Sequence, residues 1–387
     1  MKEEIQKILP ELIAFRHEVH ENPSPSGSEQ ETVCRITKIL DKYGIKYDVL
    51  LDSTAVCTWV GTGKEPCIGV RADIDALPIL ENSGVEFASK NKGYMHACGH
   101  DLHATIVLGI AILLKKREAE LGGTVKFFFQ PAEETTGGAD RMVKAGVLEN
   151  PYVKQVVGLH VEPEYTAGEA GFKYGQMMAA SDEFTLHVRG KGCHGAHPDA
   201  GVDSIVLASQ IVTALQSISS RNLAPYEAGV VTVGKFTAGS AGNIIPAEAE
   251  LVGILRSLSE ETRMKLRERV KFVAKGVAQA YGGEADLELR PSYASLTNDD
   301  EVVKTVHETA KEVLGAGNVT QEKTPSLGTE DFSYFSQARP SCFWHLGCGF
   351  KGQNNAPIHN AKFKADESCI PLGVEIQTKA ILKLLKA

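Results

Sequence analysis

Three short apolar runs constrain this chain most: CIGVRA at 67–72, TVKFFFQ at 124–130 and VKQVVGLHV at 153–161. Continuous apolar runs of this length read as strands buried on both faces. Helical patterns separate them, at about 102–117 and 137–146. Two more precede them, near 3–20 and 28–43, the second entered through Ser26 and Ser28 as candidate N-caps. Strands alternating with helices predict βαβ units and a mostly parallel sheet with helices on both faces.

The texture changes near residue 178. DEFTLHVR at 182–189 alternates apolar and polar, the pattern of a half-buried strand. A helix at about 203–219, strands at 229–236 and 247–256, a long helix at 259–281 and the strand-like ADLELRP complete this stretch. Such strands, covered by helices on one face, predict a compact α+β module. After Pro291, helical patterns return at 299–314 and 369–386, around the short apolar run CFWHLG. The expectation is an α/β core domain from residues 1–177 and 291–387, interrupted by a smaller α+β domain at 178–290. A length of 387 residues exceeds what one hydrophobic core serves, which agrees with two domains.

Composition narrows the function classes. Hydrophobic residues at 43% exclude disorder as the main state. A net charge of −8 and a pI near 5.9 argue against a nucleic-acid binder. No run approaches the roughly 20 apolar residues of a spanning helix, and the N-terminus mixes charges into its apolar positions instead of forming a secretory h-region. Eight scattered cysteines without CxxC spacing read as the thiols of a reduced, cytoplasmic protein.

The candidate chemistry lies where the strands end. CIGVRADID ends on Asp73 and Asp75, VKFFFQPAEE on Glu133 and Glu134, and VVGLH on His160. In open α/β sheets, ligands bind outside the carboxyl ends of the strands, so these groups are expected to converge. The loop HACGHDLH at 96–103 adds His96, Cys98, His100, Asp101 and His103 just before a helix, with Gly99 permitting a turn. Thiolate and imidazole suit zinc and similar first-row ions. Adjacent glutamates project differently, so one carboxylate can hold an ion while its neighbour takes a proton from the attacking water. Spacing does not say which does which, and an exposed acidic helix start explains the pair equally.

MHACGHDLHATIVLG, FFFQPAEETTGGA, VVGLHV, GKGCHGAHPDAGVDSI, GNIIP and GTEDFSYF resemble, in order, the motifs of the M20 metallopeptidase family. The closer likeness is to its amidohydrolase subfamily of aminoacylases, hippurate hydrolases, indole-acetyl-amino-acid hydrolases and N-acetyl-diaminopimelate deacetylases. It spans about residue 12 to the C-terminus. The resemblance implies a two-metal site in the core domain and a smaller lid domain that also forms a homodimer. It implies Cys98, His100, Glu134, His160 and His359 (of NNAPIHNAKF) as metal ligands, and Glu133 as the general base. Most M20 peptidases carry a metal histidine where this chain has Arg71-Ala72-Asp73. That ligand is absent, and Asp73 becomes a group that orients a ligand, or a simple strand-end cap. His96 and His103 match no ligand role and read as polar neighbours.

In the inserted domain the resemblance implies that His194 reaches a partner subunit's active site and there hydrogen-bonds the oxyanion, with His197 as its competitor. Asn243 and Arg256 would hold the substrate's carbonyl and carboxylate, the arginine through its planar fork. The alternative for Arg256 is a surface ion pair beside Glu250 or Glu260. Gly328 and Thr329 would line the pocket, unless they serve only as a turn. Met177 and Met178 fall at the crossover and are assigned to packing. The expected activity is hydrolysis of N-acyl amino acids by two divalent ions, zinc or manganese first, cobalt or nickel next. A dipeptidase or carboxypeptidase is the enzymatic alternative, and a metal-dependent binding protein the non-catalytic one. No nucleic acid or membrane partner is expected.

Overall fold

A computed structural model describes residues 1–386. The chain divides into two compact units. The first comprises Met1–Gly175, Thr297–Thr324 and the chain from Asp331 onward; the second comprises Gln176–Leu296 and Pro325–Glu330.

The first unit is built on an eight-stranded sheet. Its strands run in the order Lys46–Leu50, Ala55–Gly61, Thr124–Gln130, Cys67–Asp73, Val153–Thr166, Ser341–Gly349, Ala170–Phe172 and Val319–Gln321. The four strands from Thr124–Gln130 to Ser341–Gly349 pair in parallel. Every residue of Cys67–Asp73 and Thr124–Gln130 is buried, so both faces are covered, in keeping with their mostly apolar sequences. The helix His100–Lys116 is buried from His100 through Leu114. It is apolar all round, as a helix within the core must be.

Two departures from the sequence expectations have local causes. The hairpin Lys46–Leu50/Ala55–Gly61 carries no turn signature, because Leu51, Asp52 and Ser53 take left-handed φ values of 52°, 55° and 65° without glycine or asparagine. The second helix starts at Gln30, and neither Ser26 nor Ser28 caps it. Glu29 occupies the N-cap position without capping; its carboxylate accepts the Gly27 N–H at 2.6 Å and the Ala132 N–H at 3.0 Å instead.

The second unit is an antiparallel sheet in the order Gly229–Ala238, Glu248–Ser257, Ala180–Arg189, Glu284–Pro291. Helices Ser204–Ser217 and Glu260–Ala280 cover one face, capped by the side chains of Asp203 and Ser259. Phe184, Leu186 and Val188 alternate inward against Leu207, Ile211, Leu266 and Val270. Asp182 breaks the apolar pattern and is fully buried, where Arg263 and Arg267 both bind its carboxylate. Among the described residues no helix is long and apolar enough to cross a membrane.

Candidate metal centre

The parallel strands deliver their last residues to one place, and the loops beyond them are tightly held. After Gln130 the chain turns through Pro131 and Ala132, whose φ of 52° is costly for an L-residue, by about 1–3 kcal/mol. Two buried carboxylates hold this turn. Glu29 accepts the Ala132 amide at 3.0 Å, and Asp75 accepts those of Glu133 and Glu134, each at 3.1 Å. Downstream, a Cβ on Gly138 would sit 1.7 Å from the Pro131 carbonyl oxygen, so only glycine lets the loop close. In the HACGHD loop, Gly99 has φ +83° and places His100 and Asp101 in the first turn of the helix. Asp101 is anchored from the N-terminal helix by Arg16 Nε at 3.0 Å and His20 Nδ1 at 2.9 Å.

Hydrogen bonds set which imidazole nitrogens are free to bind a cation. His100 Nδ1 donates to the Asp75 carbonyl at 2.9 Å, so Nε2 is the atom left to face a cation. His160 Nδ1 donates to the Val161 carbonyl at 2.8 Å, again leaving Nε2. Around them, Cys98 Sγ lies 3.3 Å from His160 Nε2 and 3.2 Å from His359 Nε2. Glu134 Oε1 is 3.0 Å from His359 Nε2 and 3.9 Å from His100 Nε2. His359 reaches the site from a left-handed residue, φ 59°, tied down by its amide on the Ala97 carbonyl at 2.8 Å.

This donor set fits two divalent first-row ions. Cys98, His100 and His160 form one compact group, and Cys98, Glu134 and His359 a second that shares the sulfur. Glu133 joins His100 and Glu134 in a third. The buried His100 Nε2 and Glu134 Oε1 make no hydrogen bond, although most buried polar atoms do. Electrostatics point the same way. Burial works against charge on His100, yet Asp73, Asp75 and Glu134 lift it to about 10, so the site favours a positive charge there. Burial and the charges of Glu134, Glu133 and Asp73 push the Cys98 thiol well up, a cost that a bound cation reverses. Burial, together with the neighbouring His103, keeps the His160 ring neutral, the form that ligates.

Thus Cys98, His100, Glu133, Glu134, His160 and His359, separate in sequence, come together in the first unit. Asp73 sits beside them, 3.6 Å from His100 Nε2 and 2.5 Å from His103 Nδ1. The remaining candidates belong to the second unit. A two-residue ladder pairs Ile244 with His194, and the neighbouring exposed Asn243 accepts the Gly195 amide on its carbonyl at 2.8 Å. The Ala196 amide donates to His194 Nδ1 at 3.1 Å, so the His194 Nε2 carries the proton. His197 lies beside it, ring centroids 5.6 Å apart. Arg256 has neither of its anticipated ion pairs, because Glu250 pairs with Lys235 and Glu260 with Arg263. Its buried Nη1 has no hydrogen-bond partner. Gly328 receives the Ala179 amide on its carbonyl at 3.0 Å, beside the parallel bridge between Met178 and Ser326.

Glu29, Arg71, Gln130 and Asp331 support the site, and sequence reasoning missed them. Arg71 donates to Asp73 at 2.7 Å, to Gln130 at 2.8 Å and to Asp331 at 2.8 Å. The visible trace was an arginine inside the otherwise apolar CIGVRAD.

Comparison with known proteins gives the family. Residues 69–383 match the model of peptidase family M20/M25/M40. The N-acetylcysteine deacetylase of Bacillus subtilis is 38% identical over 93% of this chain and 93% of its own length. The thermostable carboxypeptidase 2 of Saccharolobus solfataricus is 35% identical over 96% and 95%. A crystal structure of a dinuclear-metal-binding M20 peptidase from Bacillus subtilis superposes with a TM-score of 0.86 at 34% identity, covering 98% of this chain and 99% of that one. The chain belongs to the M20/M25/M40 peptidase family and is a hydrolase of that family.

Proposed function

We propose that this enzyme hydrolyses the amide bond of N-acyl amino acids with two divalent ions held by Cys98, His100, Glu134, His160 and His359. The observation that carries the proposal is the convergence of those five donors with Glu133 beside them, Cys98, His100, His160 and Glu133 being buried. Bound ions supply Lewis acidity toward the acyl carbonyl and lower the pKa of water to about 7. Glu133 takes a proton from the attacking water and returns it to the departing amine, the two proton transfers an amide needs. The Asp75 and Glu29 contacts hold its backbone while it does so. His194, with its proton on Nε2, donates to the oxyanion developing in a partner subunit's site, and Asn243, next to Ile244 of that ladder, binds the carbonyl. A donor of that kind contributes about 10²–10³ in rate. Arg256, with an unpartnered guanidinium nitrogen, receives the substrate carboxylate.

Zinc and manganese suit the mixed sulfur, nitrogen and oxygen donors best, with cobalt and nickel next. We read the protein as a cytoplasmic homodimer formed through the inserted unit. All eight cysteines are free, and a ligand thiolate at Cys98 needs a reducing compartment. The test crosses acetyl, benzoyl and longer acyl groups with a range of amino acids, after reconstitution with each metal. Turnover of several acyl amino acids, lost in Glu133→Ala while metal content stays, is the expected result. Full hydrolysis by Glu133→Ala would remove the base. The carboxypeptidase relative supports a second reading, which faster cleavage of peptides than of acyl amino acids would establish.

A further inference from the structure

Of the three histidines in HACGHDLH, only His103 has both ring nitrogens hydrogen-bonded to protein groups. Its Nδ1 donates to Asp73 Oδ1 at 2.5 Å, and its Nε2 accepts the Val161 N–H at 2.9 Å. Val161 follows His160 directly. The Cys67–Asp73 strand pairs with the Val153–Thr166 strand only as far as Arg71↔Gly158. Beyond that point the edge carrying His160 has no strand partner on this side, and the His103 ring takes the place of one. The ring also lies edge-on to His160, centroids 4.7 Å apart, and 5.4 Å from His100. Its other anchor is rigid: Asp73, Arg71 and Asp331 form a fully buried chain of ion pairs, cross-tied by Gln130.

We propose that His103 is a positioning residue of the metal centre. It fixes the backbone at His160 through the Val161 amide, and its ring spaces the two ligand imidazoles of His100 and His160. An ion on His103 itself would have to displace one of its two hydrogen bonds, so the ring acts through its neighbours. The inference rests on the reading that Cys98, His100 and His160 hold metal.

The test uses zinc binding to the full-length protein, stripped of metal, by competition with a chromophoric chelator. The visible spectrum of the cobalt-loaded protein reports the geometry around the sulfur. Glutamine places an acceptor where Nε2 lies, and asparagine a donor where Nδ1 lies. His103→Ala is expected to weaken zinc binding by about 10–100-fold, the usual cost of losing a partner behind the ligands, and to shift the cobalt spectrum. His103→Gln, which keeps the Val161 contact, recovers most of the affinity, whereas His103→Asn does not. Should the alanine variant fail to fold, the glutamine–asparagine pair decides. Equal zinc affinity and an unchanged spectrum in the folded variants would overturn the proposal, as would recovery by asparagine alone. A wild-type protein that binds no zinc or cobalt would instead overturn the underlying reading of the site, and this inference with it.

Discussion

Replacing Glu29 by glutamine should make the protein more stable at pH 8 and leave it unchanged near pH 4.5. Glu29 is fully buried, and one oxygen accepts two backbone amides while Oε2 has no hydrogen-bond partner. Burial, reinforced by the nearby charge of Asp75, raises its carboxyl from 4.5 to about 7, against the pull of the Gly27 and Ala132 amides. The folded state therefore binds this proton more tightly than the unfolded chain. Stability is greatest below pH 4.5, falls as pH rises toward 7 and levels off above it. The shift corresponds to about 3 kcal/mol at most, and solvent relaxation around the ionised group reduces it to about 2. Glutamine keeps the acceptor for both amides and cannot ionise, so it mimics the protonated acid at every pH. Urea unfolding of both metal-free proteins across pH 4.5–8.5 measures the difference. A constant gap between variant and wild type across that range would refute the argument. Glu29→Ala separates the geometric part, because it strands two amides at a cost of about 2–4 kcal/mol and frees the turn at Ala132. Its activity should fall at least tenfold, whereas Glu29→Gln stays near wild type.

The buried His20 gives a pH dependence of the same sign in a more alkaline window. Burial lowers its pKa, but Asp101 and Glu81 outweigh this and hold it at about 9. Its contribution of about 3 kcal/mol is therefore complete below pH 6.5 and lost as pH rises through 9. His20→Ala should flatten the alkaline limb of the stability curve, and an unchanged limb would exclude the ion pair as its source. Arg256→Ala should raise KM for acyl amino acids about 10–100-fold with kcat nearly kept, as losing a charge-assisted pair predicts. An equal loss with substrates lacking the carboxylate would contradict that role. Exhaustive chelation should abolish turnover, and added zinc or manganese should restore it; activity in the stripped protein would contradict the mechanism.

What was legible in the chain followed the range of the interaction. The three central strands could be read because burial on both faces makes each one a mostly apolar run. Parallel strands run toward one edge, which brings Asp73 at a strand end, Glu133 and Glu134 just beyond another, and His160 within the longer Val153–Thr166 strand toward the same side. The ladder joining His194 to Ile244 carries no local pattern and was not anticipated, and the approach of His359 was anticipated by motif resemblance alone. The Lys46–Gly61 hairpin escaped because its turn is made by residues that rarely adopt left-handed backbone. The support beneath the site was hidden for a different reason. Arg71 meets Gln130 across 59 positions and Asp331 across 260, distances at which sequence offers no register. Yet a charged residue within a fully buried strand must be paired, since an uncompensated guanidinium in the core costs several kcal/mol. CIGVRAD therefore already required acids at Arg71, and Asp73, two residues on and on the same face of the strand, was the nearer one. The same reasoning ties His103 to the centre. An imidazole in the buried first turns of an apolar helix needs partners for both nitrogens, and the carboxylate that Arg71 holds in place is where one of them is found.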